Sequence, residues 1–275
     1  MQLEIDIAAE AMEDRIASLD LTCFDRGDYV NLILQRSEVM FDRPKPGRII
    51  KAWQEGDDAP IQAVVDEMGD TIARRAAGVI HAEYKLIKSL LQDLNPKRIA
   101  DIGCGYGFFD LFAAQNLGCK VLLIDLEENT HRHFGFNTEG AAYSSLSRAK
   151  GLLKANRIKA DRIETLNPMT KPAETAKPVD LVVSFLSCGF HYPVDMYLPF
   201  LDKVLRPGGA AIFDLRRSTA KVQAEKLETF GTLTDLDSPP KTRRVMLHKA
   251  DAYNARGTGR GHDRSGPLNA GGVRL

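Results

Sequence analysis

Arg98-Ile99-Ala100-Asp101-Ile102-Gly103-Cys104-Gly105-Tyr106-Gly107 is the stretch on which the reading of this chain turns. A short apolar run closes around a carboxylate, Asp101, and glycine then stands at every second position. Residues 108–117 follow at once and read as a helix. Lacking a Cβ, glycine lets bare peptide N–H groups at a helix N-terminus come close to a ligand. The next apolar run, Lys120-Val121-Leu122-Leu123-Ile124-Asp125, ends in a second acid. It lies about 20 residues past the turn, where a strand-end carboxylate grips a nucleotide ribose.

Glycine spacing separates two cofactor classes. A dinucleotide fingerprint requires a third glycine where Phe108 stands, so G-x-G-x-x-G fails and D-x-G-x-G-x-G remains. That pattern resembles motif I of the class I S-adenosylmethionine-dependent methyltransferases. The resemblance implies an α/β fold: a doubly wound, Rossmann-like, seven-stranded and mostly parallel sheet, here with a helical N-terminal extension. It also implies S-adenosyl-L-methionine as cofactor. Asp101 would hold its methionine end and Asp125 both ribose hydroxyls, with Gly103, Cys104, Gly105, Gly107 and Leu126 alongside. Asn167, after the third strand, would meet the adenine amino group, and Ser184 would stand at the head of the fourth strand. Two other readings of the glycines stay open: a turn built only for packing, and an NAD site.

Outward from the motif, residues 8–19, 29–40 and 61–77 carry apolar positions at helical spacing, and Pro44-Lys45-Pro46-Gly47 breaks the chain between them. Trp53 falls between these pieces. Residues 78–94 make the helix expected before the first strand. From Arg98 strands and helices alternate, which calls for a parallel sheet covered on both faces. Helices are expected at 142–156 and 221–229, with strands at 162–166, 179–185, 210–215, 232–236 and 244–248. Pro193 suits the first turn of a helix that runs to Leu205 and stops at Arg206-Pro207-Gly208-Gly209. The division expected is a helical cap over 1–77, a cofactor-binding domain over 78–253, and a tail over 254–275 too poor in apolar residues to order itself.

The chain has 275 residues, of which 44% are apolar, enough for a full core. Its 37 basic and 37 acidic residues cancel, which argues against a dedicated nucleic-acid binder. Cys23, Cys104, Cys119 and Cys188 show no C-x-x-C and no zinc spacing, so reduced thiols are expected. The first six residues are acidic where a signal peptide would be basic, and no apolar run nears the ~18 residues of a membrane span. The expectation is a cytoplasmic protein; its oligomeric state is not in the sequence.

Ligands of an open α/β sheet bind beyond the carboxyl ends of the strands, where strand order reverses. The loop Ser187-Cys188-Gly189-Phe190-His191-Tyr192-Pro193 belongs there and is unusually polar and aromatic for a connection. Methyl transfer needs nucleophile, carbon and sulfur in line, and a hydroxyl nucleophile needs a base near neutral pKa. His191 is the candidate base, against a bland role capping the next helix. His131 and His133 could join it as zinc ligands, but no carboxylate accompanies them at a known spacing, so no metal is expected. Ser144 or Ser145 reads as a helix-capping hydroxyl.

The expected function is methyl transfer to a small-molecule or carbohydrate hydroxyl. The loop at 187–193, with Tyr143-Ser144-Ser145-Leu146, resembles sugar methyltransferases of bacterial polysaccharide genes. The alternatives are an RNA or protein methyltransferase using Arg256, Arg260, Arg264 and Arg274 of the tail, and a non-catalytic cofactor-binding homologue. No string for flipped bases and no aromatic platform supports the RNA reading.

Overall fold

Val121, Leu122, Leu123 and Ile124 are at most 2% exposed, so this strand is buried on both faces and needs a layer on each side. The computed structural model describes residues 5–127, 144–239 and 241–251. His131, His133, Tyr143 and the 254–275 tail lie outside them.

Among the described residues the strands form one sheet: β1 (Arg98–Ile102), β2 (Lys120–Ile124), β3 (Ile163–Leu166), β4 (Val179–Ser184), β5 (Leu205–Arg216), β6 (Gly231–Leu236) and β7 (Thr242–Lys249). Their order is β3-β2-β1-β4-β5-β7-β6. β1 to β5 pair in parallel, and β7 runs antiparallel to both its neighbours. This is the doubly wound, seven-stranded sheet the sequence calls for. Strand order reverses between β1 and β4, so the ends of these two strands open the crevice.

Strand periodicity sorts the core into two layers. Ile99, Val121, Leu123, Leu181, Val183 and Ile212 point to one face, while Ala100, Leu122, Ile124, Val182 and Phe213 point to the other. The first face carries α6 (Thr71–Leu94), α7 (Phe108–Leu117) and α8 (Leu146–Ala155). The second carries α9 (Leu198–Lys203) and α10 (Ala220–Leu227). N-terminal helices α1 (Ile7–Met12), α2 (Asp14–Ala17), α3 (Arg26–Gln35), α4 (Pro46–Gln54) and α5 (Ala59–Met68) add Ile16, Leu32, Ile33 and Ile61 to the first layer's apolar cluster.

Several expected boundaries move, each for a local reason. The helix break falls at Gly69, whose φ of 53° caps α5, and not at residue 78. α6 then runs unbroken for 24 residues, about 36 Å, through the boundary expected at 77/78. Trp53 belongs to α4, a helix missed in the pattern; Pro46 opens it, and the turn before it places Lys45 at φ 55°. Ser145 caps α8, its Oγ accepting from Arg148 N at 3.3 Å. The helix after Pro193 is a 3-10 turn (Val194–Tyr197) and then α9, which ends at Lys203. Arg206-Pro207-Gly208-Gly209 is no stop between elements but an outward bulge of β5. Val179 faces Leu205 and Leu181 faces Ala210, so two steps on β4 match five on β5. Pro207 is tolerated there because the bulge asks no ladder N–H of it.

Candidate functional site

Gly103, Gly105 and Gly107 all have positive φ (76°, 56° and 74°), the left-handed backbone that glycine adopts without strain. Gly103 and Cys104 donate their N–H groups to Ile124 O at 2.8 and 3.2 Å, which ties the turn to the end of β2. Gly105 N donates to Asp125 Oδ2 and Leu126 N to Asp125 Oδ1, both at 2.8 Å. A Cβ on Gly103 would lie 1.8 Å from Ser187 Oγ, so the loop after β4 closes directly over the turn.

A cavity opens at this reversal point. Of the residues expected there, Asp101, Gly103, Cys104, Gly105, Asp125, Leu126 and His191 line it. Gly107, Asn167 and Ser184 are absent from its wall. Gly107 is the N-cap of α7, and a Cβ there would meet Leu153 Cδ1 of α8 at 3.2 Å, so its bareness serves helix packing. Asn167 Nδ2 donates to Leu126 O at 3.1 Å and Glu127 Oε2 at 3.2 Å, while its Oδ1 accepts from Met169 N. Its amide is spent on the loop that follows β2, which leaves it bracing Leu126 rather than facing a ligand. Ser184 is fully buried, donating to Ile102 O at 2.7 Å and accepting from Cys188 N at 2.9 Å. It locks the loop after β4 onto β1.

His191 reaches the cavity from a rigid loop. Its N donates to Ser187 O at 2.8 Å, Gly189 N donates to Tyr192 O at 2.7 Å, and Gln223 Nε2 donates to Gly189 O at 2.8 Å. Phe190 packs edge-on against the imidazole at 5.1 Å.

Residues the sequence did not point to complete the wall. Gln35, at the end of α3, lies against Gly105, 3.1 Å from where a Cβ would be. Arg36 forms a bidentate pair with Glu83 of α6, both bonds at 2.9 Å. Arg244 of β7 grips Asp214 of β5 at 2.7 and 2.8 Å beneath Phe185, whose ring lies 4.8 Å from the guanidinium. No short motif marks these pairs, since each joins elements 30 or 47 positions apart. Only the strand register Asp214↔Arg244 hints at one of them.

Burial dominates the electrostatics. It pushes Asp101 up to about 7, with the adjacent Asp110 opposing it and the nearby Asp125 charge adding to it. Asp110, on the first turn of α7, is raised well above the ordinary carboxylate range by burial first and Asp101's charge second. Neither Asp110 oxygen has a hydrogen-bond partner, so burial favours the protonated form of this acid. Asp125 is also raised by burial, against the N–H bonds it accepts. Glu83 is lowered: burial would raise it, but Arg36 outweighs that. Burial raises the Cys104 and Cys188 thiols, which marks them as packing groups rather than thiolate nucleophiles.

No family model matches this chain, and no curated protein does. Among solved structures it is similar to a Nostoc punctiforme protein described as a candidate O-methyltransferase, at 17% identity and a TM-score of 0.46, over 65% of this chain and 59% of that one. The chain thus spans less than two thirds of that relative. It is also similar to an O-methyltransferase family protein of Burkholderia thailandensis (12% identity, TM-score 0.44, 81% of this chain and 73% of that one). A third is TomG of Streptomyces achromogenes, an O-methyltransferase involved in tomaymycin synthesis, solved with S-adenosylmethionine (16%, 0.44, 62% and 80%). None of these TM-scores reaches 0.5, so weight falls on the residues of the site itself.

Proposed function

We propose that this protein is an S-adenosylmethionine-dependent methyltransferase acting on a hydroxyl of a small molecule or carbohydrate in the cytoplasm. Residues 78–253 would be its cofactor-binding domain and 1–77 a cap carrying substrate-side groups. The observation that carries the reading is Asp101 Oδ1, a buried acceptor with no hydrogen-bond partner in a residue of the cavity wall. An orphaned buried acceptor is costly, and an ammonium group at the methionine end of the cofactor would satisfy it. The bare Gly103 and the two-oxygen acceptor Asp125, already fixed by the N–H groups of Gly105 and Leu126, fit the same ligand, with Asp125 facing its ribose hydroxyls.

The bound cofactor supplies a methyl carbon on a sulfonium, ready for in-line displacement. The protein's share is to bind, align and deprotonate. Asp101, Gly103, Gly105, Asp125 and Leu126 fix the cofactor's position. His191 would take the proton of an acceptor hydroxyl held against its ring, leaving the oxygen a better nucleophile. Leu34, Ile80, Phe109 and Phe185, also in the wall, exclude water from the reacting atoms. Gln35 and Arg36 place the end of α3 in that wall, which supports the cap assignment.

The test couples calorimetry with S-adenosylmethionine to a screen of tritiated methyl transfer into nucleotide-sugar, lipid-linked glycan, small-metabolite and RNA pools. Binding plus label in a hydroxyl of the first three pools is the expected result. Label confined to RNA, or no binding at all, overturns it in favour of an RNA enzyme or a non-catalytic homologue.

A further inference from the structure

α1 crosses α6 unusually closely. A Cβ on Gly78 would lie 2.9 Å from Ala11 N and 3.0 Å from Glu10 C, so only glycine allows the two backbones to touch. One turn further along α6, on the same face, stands His81, and one turn beyond that Lys85. Against them α1 and its C-cap present Glu10 and Glu13. The imidazole is buried, its side chain 8% exposed, while those of Glu10 and Glu13 are 17% and 41% exposed.

Lys85 Nζ donates to Glu10 Oε1 at 2.7 Å, Glu10 Oε2 at 2.9 Å and Glu13 Oε1 at 2.8 Å. The ammonium orients both carboxylates and still leaves one negative charge over. The second oxygens turn toward His81: Nδ1 lies 3.3 Å from Glu13 Oε2 and 3.8 Å from Glu10 Oε2. Nδ1 nevertheless makes no hydrogen bond, which is costly for a buried ring nitrogen. Among the described residues this is the one group of at least three imidazole, thiol or carboxylate side chains whose ligand atoms all converge within 4.8 Å.

We propose that Glu10, Glu13 and His81 form a site for a divalent transition-metal ion, with zinc the best match, that clamps α1 onto α6. Zinc with bonds of about 2.0–2.2 Å to nitrogen and oxygen sets neighbouring ligand atoms about 3.3 Å apart in a tetrahedron. The separations of 3.3 and 3.8 Å already approach that edge. One imidazole with two carboxylates suits zinc, whereas magnesium and calcium prefer all-oxygen shells. The ion takes the place of one Lys85 bond, to Glu10 Oε2, and Lys85 keeps the two Oε1 oxygens as the outer partner that orients the ligands. The site is independent of the methyltransferase reading.

The experiment is Co2+ titration of the full chain followed by visible absorption, displacement by Zn2+, and thermal unfolding with each ion. Expected are saturable 1:1 binding and a Zn2+-dependent rise in melting midpoint of about 5 °C or more at saturation. Glu13→Gln, at a partly exposed position that folding tolerates, weakens binding about 10-fold or more, as does His81→Gln. Zn2+ also shifts the His81 Nδ1 signal in a long-range nitrogen–proton spectrum. No 1:1 binding, or affinity unchanged in both Glu13→Gln and His81→Gln, overturns the site.

Discussion

Asp125 Oδ2 accepts the N–H of Gly105 at 2.8 Å, a bond that joins the end of one strand to the turn that follows its neighbour. It fixes the head of the crevice, and its other oxygen is held by Leu126 N. Replacing Asp125 by Ala should lower affinity for S-adenosylmethionine about 10²- to 10⁴-fold, since each of two ribose hydroxyl bonds to the carboxylate contributes about 1.5–3 kcal/mol. Calorimetry on a variant shown to be folded checks this. Unchanged affinity would remove Asp125 from the ribose site.

His191→Gln separates base from scaffold. With the acceptor found by the labelling screen, turnover should drop about 10²- to 10⁴-fold while cofactor affinity stays put. The bond from His191 N to Ser187 O does not depend on the side chain, and circular dichroism checks that the variant is folded. Normal turnover would return His191 to a packing role.

Asp101 and Asp110 make stability depend on pH. Both native values are raised above the ordinary carboxylate value of about 3.9, so the native state binds more protons than the unfolded chain above that pH. Stability should therefore fall as pH rises from about 4 to about 7, the reverse of what salt-bridged acids produce. Asp110→Asn mimics the protonated acid and can donate to Asp101. Urea denaturation across this range should show a flatter slope for the variant and greater stability at pH 7. An identical slope would show that Asp110 does not bind a proton in the native state over this range.

Arg244 and Asp214 are 1% and 0% exposed, so neither tolerates loss of the other. Arg244→Met leaves a buried carboxylate without its cation and should cost about 3–5 kcal/mol in urea unfolding. The double change Arg244→Met with Asp214→Leu should recover most of that, because no charge is then left buried alone. A double variant no more stable than the single one would show that the pair matters for shape rather than for charge.

The glycine turn was legible because its chemistry is local. Positive φ, a bare approach and an acid at each strand end all fall within about 25 consecutive residues, and the structure brings Asp101, Gly103, Gly105 and Asp125 to one wall. Asn167 and Ser184 stand outside that wall for the opposite reason. A strand-end polar side chain can face the crevice or turn back on its own loop, and the nearest backbone groups decide which. Asn167 found Leu126 O, and Ser184 found Ile102 O.

What the sequence determined by itself was the layering. Near-continuous apolar runs in the inner strands and apolar residues at every third or fourth position of the helices leave a covered parallel sheet as the way to bury both. Tertiary structure alone decided the far wall of the cavity, where Arg36 meets Glu83 and Arg244 meets Asp214. Charged side chains carry no periodic signal of burial. Which charges go inside is settled by long-range packing, which removes the water around them and leaves a partner within reach.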